Sequence, residues 1–97
     1  MNRNYEIAYI ADPDLEEEAL TALEETVKSW IEAADGKTTN VERWGKRKLA
    51  YAIRKRSDGY YFILQTEMPP QAGRAIERDL GLNEQVLRYL LTSRDSS

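Results

Sequence analysis

Between Tyr5 and Thr92 the apolar residues change their spacing from two to about four and back in a set order, and that order leaves the chain few folds. In the first stretch Tyr5, Ile7, Tyr9 and Ala11 fall on one side and Glu6, Ala8 and Ile10 on the other, as a strand requires. Asp12-Pro13-Asp14 interrupts it: Pro13 has no N–H for a ladder, and Asp14 with Glu17 three positions on has capping-box spacing. Leu15, Ala19, Leu23, Val27, Ile31 and Ala34 then recur at helical spacing, which predicts a helix to about Ala34, closed by Gly36. Glu16, Glu17 and Glu18 suit the positive end of its dipole.

From Lys37 to Ile53 the β-branched and aromatic residues Thr38, Thr39, Val41, Trp44, Tyr51 and Ile53 predict extended chain, with a bulge or bend at Gly45. Ser57-Asp58-Gly59 has turn composition. Tyr60 to Met68 is the most apolar strand, with Phe62, Leu64, Thr66 and Met68 alternating with Tyr61, Ile63, Gln65 and Glu67. Pro69-Pro70 stops it, Ala72, Ile76 and Leu80 predict a short helix ending at Gly81, and Val86 to Thr92 forms a last strand. Residues 93–97 have no apolar anchor and are expected to fray.

The resulting β-α-β-β-α-β order is that of an α+β domain, a four-stranded antiparallel sheet with both helices on one face. Ninety-seven residues suffice for one such domain, taken as residues 1–97. The other face of the sheet is open and carries Ile10, Tyr61 and Ile63, an apolar surface that a chain seldom leaves in water without a partner.

Charge is distributed unevenly. The segment from Arg43 to Arg56 holds seven of the fourteen basic residues and none of the seventeen acids, so a ribbon of +7 sits on a body of −10. Lys46, Arg47 and Lys48 follow Gly45, and Arg54, Lys55 and Arg56 precede the expected turn. Cations gathered on a protruding strand pair create a local field that phosphates enter, with arginine offering a fork and lysine a point charge. Charged edge strands also guard against sheet aggregation, but seven bases unrelieved by acid exceed that need. Trp44, Tyr60 and Tyr61 lie among these cations and suit either base stacking or packing.

Several chemistries are disfavoured. With no cysteine and no histidine there are no disulfides, no thiolate zinc site and no thiol or imidazole catalyst, which argues against an enzyme; no catalytic residue, metal or cofactor is expected. The acidic Ala11-Asp12-Pro13-Asp14 turn after the first strand does not suit a phosphate-cradling loop. Tyr60 to Glu67 lacks the pattern by which RNA-recognition motifs of the same strand order stack bases. No apolar run approaches the roughly 18 residues of a membrane span, and Met1 to Glu6 lacks the core of a signal peptide, so the expected location is the cytoplasm.

Arg3-Asn4-Tyr5-Glu6, the Asp-Pro-Asp-Leu helix entry, Gly45-Lys46-Arg47-Lys48-Leu49-Ala50-Tyr51, Gly59-Tyr60-Tyr61 and Glu67-Met68-Pro69 occur in the order seen in one family. Over essentially its whole length the chain resembles the family of bacterial small-subunit ribosomal protein six. The resemblance implies a ferredoxin-like domain that binds the central domain of small-subunit ribosomal RNA together with small-subunit ribosomal protein eighteen, with no membrane and no small-molecule substrate. It adds Arg3 and Arg88 to Arg47 and Lys48 as RNA contacts, beside the Lys46, Arg54, Lys55 and Arg56 of the charge reading. Ala52 and Leu87 depart from the family pattern, at positions where relatives often have proline and a basic residue. The competing expectation is a small-molecule-binding or regulatory domain that dimerises through its open sheet.

Overall fold

The computed structural model describes residues 1–94. Strand β1 (Arg3–Ala11), helix α1 (Glu17–Ala33), strands β2 (Lys37–Ile53) and β3 (Arg56–Met68), helix α2 (Ala72–Leu82) and strand β4 (Val86–Ser93) follow in the expected order. The sheet is antiparallel with strand order β2-β3-β1-β4, so β3 and β1 are central, and they hold most of the buried residues of the sheet.

The period-two pattern decides which side chains meet the helices. Ile7, Tyr9 and Ala11 of β1 and Phe62, Leu64 and Met68 of β3 are buried against Leu20, Leu23, Val27 and Ile31 of α1 and Ala72, Ile76 and Leu80 of α2. Tyr9 and Phe62 stack with ring centroids 5.0 Å apart and planes within 4°. Each large side chain removed from water in this layer contributes about 1.5–3 kcal/mol.

Four local expectations are revised. Asp14 does not cap α1; its N–H donates to Asp12 Oδ1 at 2.9 Å, and Glu16 occupies the cap position without a side-chain bond. The helix therefore opens two residues later than capping-box spacing implies, and Leu20, Leu23, Val27 and Ile31 form its buried stripe while Leu15 is half-buried. Helix α2 continues through Gly81 to Leu82. Pairing also reaches beyond Thr92: Ser93 lies opposite Tyr5, and the Arg94 N–H donates to the Asn4 carbonyl at 2.8 Å. The rest of the segment expected to fray, residues 95–97, lies outside the described residues.

The fourth revision concerns the hairpin. Asp58 and Gly59 are strand residues, opposite Lys48 and Arg47, and the chain reverses at Arg54-Lys55 instead. Asp-Gly is the stronger local turn signal, but Gly59 answers to a packing demand. A Cβ on it would stand 2.4 Å from Ile10 Cγ2 and 3.1 Å from the Ala11 carbonyl oxygen.

Candidate nucleic-acid interface

Strand β1 ends at Ala11 opposite Tyr60, whereas β2 and β3 continue to pair with each other as far as Ile53 and Arg56. The distal half of the hairpin therefore projects from the sheet as a two-stranded ribbon, in a molecule 40 Å along its longest axis. Two irregularities shape the ribbon. Gly45 has φ 80° at a shift in register after Arg43, the bulge expected there. Further out, residues 49–52 of β2 face Ser57 alone.

That extra length carries Tyr51 to the open face of the sheet, where its hydroxyl accepts a hydrogen bond from Arg88 Nη1 and its ring lies 5.5 Å from the Arg88 guanidinium carbon. Arg54 Nη1 donates to the Glu84 carbonyl at 3.2 Å, a second link between the hairpin and the approach to β4. Arg88, on the last strand, is thereby brought beside the hairpin cations. Lys46 stands 5.3 Å above the Tyr60 ring and Arg47 5.4 Å from the Trp44 ring, with Trp44 47% exposed. Such pairs hold a cation by its aromatic neighbour while leaving its charge unneutralised.

Not every cation of the ribbon is available. Arg43 points to the helix side, where Nε donates to Glu24 Oε1 at 2.9 Å, Nη1 pairs with Glu17 and the guanidinium lies 5.0 Å from the Phe62 ring. Arg56 is bound to the β1–α1 loop, 3.3 Å from Asp12 Oδ1 and 3.0 Å from Asp14 Oδ2. The Asp14 N–H and the Arg56 guanidinium together hold the Asp12 carboxyl below the usual carboxylate range. Among the described residues Lys46, Arg47, Lys48, Arg54 and Lys55 form no ion pair, so the ribbon presents five cations where the sequence counts seven. Arg3 is exposed but lies opposite Met68, at the far end of β1, about 27 Å of strand from the hairpin end. The fold does not bring it to the cluster.

The Arg43 clamp has a pH signature. Burial pushes the Glu24 carboxyl up, but hydrogen bonds from Lys28 and Arg43 outweigh it and hold the group below its ordinary value. A depressed carboxyl adds stability that is complete above the unfolded-state value, about 4.3 for glutamate, and is lost as pH falls through the lower folded value. Thermal melts are expected to be level from about pH 8 to 5 and to fall below about pH 4.3, and Glu24→Gln should flatten that fall. An unaltered acid limb in the variant would remove the clamp from the explanation.

The open face divides into two halves. Beside the hairpin, Ala8, Ile10, Tyr61, Arg88 and Leu90 line a shallow groove of about 310 Å³. Ile10 and Tyr61 are half-buried and Leu90 is 61% exposed, whereas Ile63 is only 9% exposed, so Ile63 has little surface left for a partner. Leu87, at the β4 irregularity opposite Ile10 and Ala11, is buried against the position of Gly59. At the other end Glu6 takes hydrogen bonds from Gln65 and Arg94 and Glu67 pairs with Lys37, which makes that half polar and largely self-neutralised. Among the described residues no group of acids could hold a metal ion, and no helix is long and apolar enough to cross a membrane.

Comparison with known proteins decides the family. The family model for ribosomal protein S6 matches residues 4–93. The chain belongs to the ribosomal protein S6 family. Small ribosomal subunit protein bS6 of Caldanaerobacter subterraneus subsp. tengcongensis is 43% identical over 93 residues, covering 96% of this chain and 98% of that protein. The bS6 of Moorella thermoacetica is 40% identical, covering 93% and 92% of the two chains. The crystal structure of 30S ribosomal protein S6 from Thermotoga maritima superposes with a TM-score of 0.91 at 33% identity, covering 97% of this chain and 89% of that one. As a ribosomal protein S6, the chain is a structural constituent of the small ribosomal subunit and not an enzyme. The ferredoxin-like topology expected from the resemblance is the one observed, and ribosomal membership agrees with the cytoplasmic location expected from the sequence.

Proposed function

We infer that this ribosomal protein S6 attaches to the central domain of small-subunit ribosomal RNA through its β2–β3 hairpin. On the same reading it shares that site with small-subunit ribosomal protein eighteen, which covers the apolar half of the open sheet. The observation that carries this reading is the projecting ribbon whose five cations have no acid partner, beside a groove lined by Ile10, Tyr61 and Leu90. Phosphates meet Lys46, Arg47, Lys48, Arg54 and Lys55, with Arg88 at the base of the hairpin. These contacts position the RNA without reading its sequence. Arg56 contributes through the loop it holds, and Arg3 makes at most a separate contact at the other end of the sheet.

The net charge of −3 explains why a partner is needed. A cationic ribbon on an anionic body binds RNA weakly alone, and a basic protein sharing the interface adds phosphate contacts and screens the acids. Filter-binding titration against a central-domain transcript, with and without protein eighteen, tests the joint mechanism. Affinity should rise with the partner and fall with salt at a logarithmic slope of about −3 to −5, as for four to six phosphates. Equal affinity in both arms would sink joint binding. A dimer stabilised by a small molecule and indifferent to RNA would favour the rival reading.

A further inference from the structure

The hairpin reverses on two residues, Arg54 and Lys55, with Ile53 paired to Arg56 across them. Both have positive φ, 51° and 65°. A two-residue turn that matches the twist of its strands requires this, and Asn-Gly or Asp-Gly meets the requirement with little strain. Arg and Lys do not, because their Cβ crowds the following carbonyl oxygen and they lack the short polar side chain whose local hydrogen bond offsets that cost in Asn and Asp. Asp58-Gly59 lies just downstream but is committed to the strand by the contact of Gly59 with Ile10. The turn is thus made by residues poorly suited to it.

Little among the described residues repays that choice: the Arg54 charge helps to hold Asp12 ionised, but the two form no ion pair. Arg54 and Lys55 are exposed, Lys55 forms no ion pair among the described residues, and Arg54 makes one hydrogen bond, to the Glu84 carbonyl. Sparsely populated backbone conformations persist where function over-determines the residues that adopt them. We propose that the Arg54-Lys55 turn is kept strained because it is a phosphate-contacting tip of the RNA interface, where charge takes precedence over turn propensity. The Arg54 bond to Glu84 then fixes that tip relative to Arg88.

This inference rests on the hairpin reading above, and its test separates the two. Melting temperature and binding to the central-domain transcript, with protein eighteen present, are measured for R54N/K55G, R54Q/K55Q and K55G. R54N/K55G relieves the strain and removes both charges; it should melt about 5–10 °C higher, bind about 10-fold more weakly and lose about 1.5 from the salt slope. R54Q/K55Q should lose the same affinity without gaining stability, and K55G, which keeps the Arg54 bond, should gain stability and lose about half as much slope. Wild-type affinity and slope in R54N/K55G, or no rise in its melting temperature, would overturn the proposal. The Lys46, Arg47 and Lys48 triple alanine variant is the reference. If it binds weakly while R54N/K55G binds normally, only the tip is wrong; if both bind normally, the hairpin reading fails with it.

Discussion

Replacing Lys46, Arg47 and Lys48 together by alanine is expected to weaken binding to the central-domain transcript about 10- to 100-fold at physiological salt. The salt slope should flatten by about 2–3, since each lost phosphate contact removes roughly 0.7–0.9. The fold should survive. All three side chains are exposed, and the interactions lost inside the chain are the Lys46–Tyr60 and Arg47–Trp44 pairs and the Arg47 hydrogen bond to the Trp44 carbonyl. Exposed cation–aromatic pairs are worth about 0.5–1 kcal/mol each, so stability should drop by no more than about 1–2 kcal/mol. Circular dichroism melts beside the binding curves check both halves. A full slope in a folded variant would place the attachment elsewhere.

Gly59→Ala should produce the largest stability change of any conservative substitution on the hairpin. The added methyl meets Ile10 Cγ2 at 2.4 Å and the Ala11 carbonyl at 3.1 Å, and the second of these is backbone of a central strand. Overpacking of this kind costs about 1–3 kcal/mol, and a melting temperature some 10–20 °C lower is expected. Gly45→Ala is the contrast. No atom lies within 4 Å of its added Cβ, but φ is 80°, so the cost is conformational alone, about 1 kcal/mol. Should the two variants melt alike, the close approach at Gly59 would not be the reason glycine stands there.

These two glycines show where local reading works. Gly45 was legible as a bulge because it interrupts a β-branched run and nothing distant constrains it. Gly59 follows Ser57-Asp58 and has turn composition, yet its constraint comes from Ile10 on another strand, a contact that no neighbouring residue signals. The cations divide in the same way. The Arg43 to Arg56 cluster is visible by counting, but the acids that neutralise Arg43 and Arg56 lie in α1 and in the β1–α1 loop, distant in sequence. Tyr51 gave no sign of meeting Arg88, because that contact depends on four residues of β2 facing one of β3.

What the amino-acid order determined by itself was the element order, the core-facing side of each central strand, the family and the existence of a cationic hairpin. Side-chain periodicity and composition are local quantities, and they survive whatever the rest of the chain does. Tertiary structure alone decided which charges remain free, where the hairpin turns, and that Arg88 joins the hairpin while Arg3 stays at the opposite end of the sheet. Those outcomes depend on through-space distances between segments far apart in the chain, and electrostatic and steric energies follow distance in space.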